Sequence, residues 1–161
     1  MSRALTSLAL AALAGGLAAC SPGGNPDAAP AAAPVQVTDA ICRPTPNGRQ
    51  STGCYLTLTA PADDRLTGIS SPVAGRVEIH ESRIESNMMM MRELNDGLPL
   101  PAGEAVDLKP GGNHIMLLAV TQPLKAGDQV DLTLNFASAD PVEVRAMVGQ
   151  PPLAGSGHAQ H

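Results

Sequence analysis

The chain has 161 residues, of which 43% are hydrophobic and 16% charged, and its net charge is −5. Its ten lysines and arginines are scattered rather than gathered, which argues against a nucleic-acid binder. With no tryptophan, one tyrosine and one phenylalanine, any core has to be aliphatic. The N-terminus comes first in chain order. Met1-Ser2-Arg3 is a short positive lead, and Ala4 to Gly16 is an apolar run of alanine and leucine too short to span a bilayer permanently. Residues 1–19 therefore read as an export signal.

That run ends in Leu17-Ala18-Ala19-Cys20, which resembles the lipobox of bacterial lipoproteins. The resemblance implies cleavage before Cys20 and a diacylglycerol on its thiol, anchoring the chain on the periplasmic side of a bacterial envelope. An ordinary secretory signal with an incidental cysteine is the alternative. Removing residues 1–19 takes away Arg3 and moves the net charge from −5 to −6. Ser21 leaves the choice between inner and outer membrane open. Residues 20–34 are rich in Pro, Ala and Gly, cannot build a core and read as a tether. Residues 149–161 have a similar bias and read as a flexible tail. Residues 35–148 remain, enough for one compact domain, read here as a monomer.

Within that domain, strand signals dominate. Val35–Ile41, Tyr55–Thr59, Leu66–Ser70, Arg76–His80, Met88–Leu94, Ala105–Leu108, His114–Val120, Val130–Phe136 and Val142–Val148 are short runs with alternation or β-branched enrichment, punctuated by Pro, Gly, Asn and Asp. The cleanest is Gln129–Phe136, with its apolar face on even numbers. No window of helical period survives the prolines. Nine short strands predict an all-β, antiparallel Greek-key sandwich or barrel.

Once Cys20 is set aside, Cys42 and Cys54 are an even pair in an oxidising compartment, which predicts a disulfide. The intervening Pro44-Thr45-Pro46-Asn47-Gly48 is a turn that would let the sulfurs meet across a hairpin. A thiolate copper pair is the competing reading, with a spacing that is not CxxC.

Four histidines occur, and two of them, His80 and His114, lie mid-chain among five of the seven methionines: Met88, Met89, Met90, Met91 and Met116. Imidazole nitrogen with thioether sulfur is a soft, uncharged ligand set suited to Cu(I) rather than to zinc, calcium or magnesium. Strand alternation puts Glu78 and His80 on one face and Val77 and Ile79 on the other. His114 and Met116 share a face two residues apart and can chelate one ion. The turn Lys109–Asn113 would hold His114 near an exposed rim. In the methionine run, Met89 and Met91 fall on one face and Met88 and Met90 on the other, so that one pair can pack inward while the other reaches the site. Each residue alone has a bland reading, a surface histidine or a core methionine. Four consecutive methionines and the His-x-Met pair weigh against it.

This arrangement resembles the PCuAC family of periplasmic copper chaperones. His80 and Met91 enclose ten residues, and 22 more precede His114-Ile115-Met116. That second interval is one residue longer than the family's usual one, an excess that a loop in Leu98–Gly112 can absorb. Tyr55-Leu56-Thr57-Leu58-Thr59, Gly75-Arg76-Val77-Glu78-Ile79-His80-Glu81, Leu108-Lys109-Pro110-Gly111-Gly112 and Pro123-Leu124-Lys125-Ala126-Gly127-Asp128 carry the likeness along Val35 to Val148. The resemblance implies a cupredoxin-like β-sandwich that binds one Cu(I) through His80, Met91, His114 and Met116. It also implies a non-enzymatic chaperone that delivers copper toward the CuA centre in subunit II of cytochrome c oxidase, alone or with a Sco-type protein. Cys42, Cys54 and Asn113 depart from the family pattern, and Met88, Met89 and Met90 add spare thioethers. His158 and His161 in the tail are a separate candidate site, for Cu(II). The rival functions are copper storage or tolerance, an envelope protein-interaction module without metal, and a small hydrolase or redox enzyme using His80 with Glu78 or Glu81.

Overall fold

The computed structural model describes residues 33–151. Residues 1–19, expected to be an export signal, as well as Cys20 and both tail histidines, His158 and His161, lie outside the described residues. Ten strands form: β1 (Gln36–Cys42), β2 (Ser51–Thr59), β3 (Asp64–Ser70), β4 (Ala74–Glu85), β5 (Met88–Glu93), β6 (Leu98–Leu100), β7 (Ala105–Leu108), β8 (Asn113–Val120), β9 (Gln129–Phe136) and β10 (Val142–Val148). The hydrogen-bonded order is β5-β4-β8-β2-β1-β10-β9-β3-β6, with β7 beside β2. Every pairing is antiparallel except β1 with β10. This is the all-β, cupredoxin-like architecture expected from the sequence, with one parallel seam added.

The seam has a local cause. Asp39 takes a positive φ of 55°, and the β1–β2 register shifts between Thr38 and Ile41. A bulge of this kind bends its strand. Beyond it, Ile41 and Cys42 pair with Met147 and Val148 while still facing β2. Strand β2 is the spine: β8 flanks Ser51–Cys54, and β7 flanks Leu56–Thr59 on the same side.

The core is aliphatic. Cys54, Leu56 and Leu58 from β2, Ile115 and Leu117 from β8, and Val130, Leu132 and Leu134 from β9 are buried in one cluster. The even-numbered face of β9 is indeed the inward one. Cys42 and Cys54 stand directly opposite each other and form the expected disulfide, fully buried.

Two departures from the predicted strands matter. β6 was hidden by Pro99, yet it sits at the end of the sheet order, where a residue without an N–H is tolerated. β4 continues through the charged segment Glu81–Glu85 instead of stopping at His80. Arg83 pairs with Glu81 and Glu85, and Arg92 of β5 pairs with Glu81. The hairpin closes at Ser86 and Asn87, both with positive φ, as a tight two-residue turn requires.

Among the described residues, Gly97 is the one glycine with no room to change. Its φ is 78°, and a Cβ there would collide with the Leu66 carbonyl oxygen. Gly97→Ala is expected to destabilise the domain by more than about 1 kcal/mol, because strain and overlap both oppose it. Urea denaturation checks this: the midpoint should fall with an unchanged slope.

Candidate metal centre

Register brings the predicted residues together. His80 stands opposite His114, and Glu78 opposite Met116, in the β4–β8 ladder. Met91 stands opposite Ser82 in the β4–β5 ladder. Directly opposed residues share a face, as do residues two apart. His80, Glu78, His114, Met116 and Met91 therefore lie on one face of β5-β4-β8, turned away from Ile79 and Ile115 in the core. The run of four methionines is sorted by the same rule. Met89 and Met91 share the face of His80, whereas Met88 and Met90 lie on the reverse face, opposite Glu85 and Arg83.

The two imidazoles lie edge to face, with ring centroids 5.8 Å apart. Two imidazoles bound to one ion at about 2 Å per bond would place their centroids roughly 5–6.5 Å apart. The hydrogen bonds of each ring are equally specific. His80 Nε2 lies 2.7 Å from Glu78 Oε2, and Arg76 Nε lies 2.7 Å from Glu78 Oε1. A carboxylate only accepts, so Nε2 carries the proton and Nδ1 carries the lone pair. His80 Nδ1 is the buried side-chain polar atom without a partner among the described residues. His114 is arranged the other way round. Its Nδ1 donates to the Gly112 carbonyl at 2.9 Å, leaving the lone pair on Nε2. Partners that commit one ring nitrogen and orient the other are the usual support of a metal-binding histidine.

The Lys109–Asn113 turn supplies that support. Lys109 N donates to Asn113 O at 2.7 Å, and Gly112 N donates to Lys109 O at 3.0 Å. The Gly112 carbonyl also accepts from Ser82 N at 3.2 Å, fixing the turn to β4. The expectation of an exposed rim for His114 is corrected here: the residue is 5% exposed. Burial lowers its pKa below the ordinary 6.5, and the charge of a protonated His80 lowers it further, against the opposing hydrogen bond to Gly112. The neutral, ligand-competent imidazole is thereby favoured. The folded state also binds this proton less readily than the unfolded chain. His114 therefore contributes stability that is fully present above about pH 6.5 and is lost as pH falls from there toward its folded pKa. Metal-free protein should melt at lower temperature at pH 5 than at pH 7.5, with a smaller difference in His114→Gln.

The methionines correct a second expectation. Neither pair packs inward: Met88, Met89, Met90 and Met91 are between 45% and 62% exposed, and Ile84 beside them is 72% exposed. The outer half of the β4–β5 hairpin carries its apolar side chains in solvent. No group of three or more His, Cys, Asp or Glu side chains among the described residues is arranged to hold a metal. The alternative pairing of His80 with Glu81 does not form, because Glu81 accepts from Arg83 and Arg92. Ser82 shares the face of His80 but makes no hydrogen bond to Nδ1. Tyr55 is a neighbour that the sequence did not single out. Its hydroxyl lies 3.0 Å from where a Cβ on Gly53 would sit, and Gly53 stands opposite Met116. Arg43 lies 5.7 Å from the Tyr55 ring centroid.

The β-sandwich that carries His80, His114, Met89, Met91 and Met116 on one face of three adjacent strands has the fold of PCuAC domains. The copper-bound PCuAC domain from PmoF2 superposes with a TM-score of 0.60 at 24% identity, over 75% of this chain and 97% of that one. Apo-DR1885 from Deinococcus radiodurans gives 0.56 at 26% identity, over 93% and 97%. The family model described as "Putative lipoprotein LpqE-like" matches residues 35–148. The chain belongs to this LpqE-like family of the PCuAC type. Among its relatives is "Putative lipoprotein Lxx21020" of Leifsonia xyli subsp. xyli (strain CTCB07), 32% identical over 112 residues, which are 68% of each chain. Another is RP573 of Rickettsia prowazekii (strain Madrid E), 34% identical over 115 residues, or 68% of this chain and 64% of that one.

Proposed function

We propose that this domain is a copper chaperone that binds one Cu(I) through His80 Nδ1, His114 Nε2, Met91 and Met116. The observation that carries the proposal is the imidazole pair. Each ring has one nitrogen committed to a protein acceptor and one lone pair uncommitted, at a spacing one ion can bridge. Two thioethers complete a neutral, soft set, which favours Cu(I) over harder divalent ions. Copper is the cargo, and the exposed Met91 arm is the ligand best placed to detach as an acceptor's ligands enter. No turnover is assigned to the site. The copper-bound PCuAC domain from PmoF2 and the CuI form of DR1885, both similar in fold to this chain, support the choice of metal.

The lipobox-like Cys20 and the lipoprotein family support a lipid-anchored position on the periplasmic side of the envelope. The acceptor consistent with the family resemblance is the CuA site of cytochrome c oxidase, reached directly or through a Sco-type protein. Anaerobic Cu(I) titration against a competing chelator, followed by X-ray absorption, tests the site. The expected result is one copper per chain with mixed nitrogen and sulfur neighbours. A chain that takes up no stoichiometric Cu(I), or holds it by sulfur alone, is incompatible with it.

A further inference from the structure

The four ligands proposed above leave Met89 without a task, although it lies on their face and is 60% exposed. We infer that Met89 is a transfer ligand: a second thioether, one step outward from Met91, that Cu(I) engages on its way into or out of the centre. This rests on the reading of His80, His114, Met91 and Met116 as the resting ligands.

The argument is one of register and chemistry. In the β4–β5 ladder, Glu93, Met91 and Met89 lie opposite His80, Ser82 and Ile84, so Met89 and Met91 extend the ligand face toward the hairpin tip. Alternate residues of a strand are about 7 Å apart, a span that two unbranched, rotatable methionine arms can close around one ion. The reverse face is different. Met88 and Met90 share it with the ion pairs of Arg83 and Arg92 to Glu81 and Glu85, and neither imidazole is on it. A large exposed apolar side chain carries a solvation cost that packing does not offset here, because Met89 faces Ile84, itself 72% exposed. In the exchange, a Cu–Sδ bond to Met89 forms as a copper–imidazole bond breaks. Met91 holds the ion during that step and then detaches as the acceptor's ligands enter, and no electron or proton moves.

The test uses the full chain loaded with Cu(I) and a colorimetric Cu(I) chelator as acceptor. Met89→Leu is expected to leave the equilibrium affinity within about threefold and to slow copper transfer by about tenfold. Met88→Leu and Met90→Leu should leave both quantities unchanged. Three outcomes overturn the inference: unaltered transfer in Met89→Leu, equal slowing in the reverse-face variants, or loss of affinity in Met89→Leu as large as in Met91→Leu. Failure of the wild-type chain to bind Cu(I) is a separate result, and it removes the underlying reading instead.

Discussion

Replacing His80, His114 and Met116 together by alanine is expected to abolish measurable Cu(I) binding, with affinity falling by well over 100-fold. Loss of a supporting partner alone typically costs 10–100-fold, and this variant removes three of four proposed donors. Glu78→Gln provides the graded comparison. The carboxylate bridges Arg76 and His80 and fixes which imidazole nitrogen bears the lone pair. An amide can present its NH2 to Nε2 and so stabilise the wrong tautomer, giving an expected loss of about 10–100-fold. Stability separates these effects from unfolding. Burying an unpartnered ring nitrogen costs roughly 1–3 kcal/mol, so His80→Ala should be less destabilising to the metal-free domain than its burial alone suggests. Near-equal Cu(I) affinity of the triple variant and wild type, in a chelator competition on folded protein, would falsify the ligand assignment.

Much of this arrangement was legible in the sequence because strands obey a period of two. The shared face of Glu78 and His80, the His114–Met116 pair and the inward even positions of β9 all follow from alternation. What alternation could not supply was the pairing of strands. His80 opposite His114 is a property of the β4–β8 register, set by contacts 34 residues apart in the chain. The β4–β5 register in turn decided which methionine pair shares the face of His80, narrowing four interchangeable thioethers to Met89 and Met91. The extension of β4 through Glu81–Glu85 was hidden because its charges look like loop residues until Arg83 and Arg92 pair with them across the hairpin. The burial of His114 was missed for a related reason. The Lys109–Asn113 turn reads as exposed, but its Gly112 carbonyl is held against β4 and receives the ring.

Removing the Cys42–Cys54 bridge by Cys→Ala at both positions is expected to cost about 3 kcal/mol and to lower the melting temperature by roughly 10 °C. The first figure follows from the entropy of closing a short loop, here with a sequence separation of 12. The second follows from the usual conversion for a domain of this size. Both sulfurs are fully buried in the core cluster, so the substitution also removes packed volume from a core whose buried members are otherwise aliphatic. The consequence for function runs through β2. Cys54 stands opposite Ile115, the residue between His114 and Met116, and Gly53 stands opposite Met116 itself. The bridge thus ties β1 to the strand against which the His-x-Met segment is aligned. The disulfide is a staple and not a ligand pair, so at a temperature where the double variant is fully folded its Cu(I) affinity should stay within about threefold of wild type, since Cys54 and Ile115 face the core while His114 and Met116 lie on the opposite face of the sheet. Thermal melts with and without reductant, paired with chelator competition at low temperature, separate the two effects. A large loss of affinity in folded double-alanine protein would return the cysteines to the copper site.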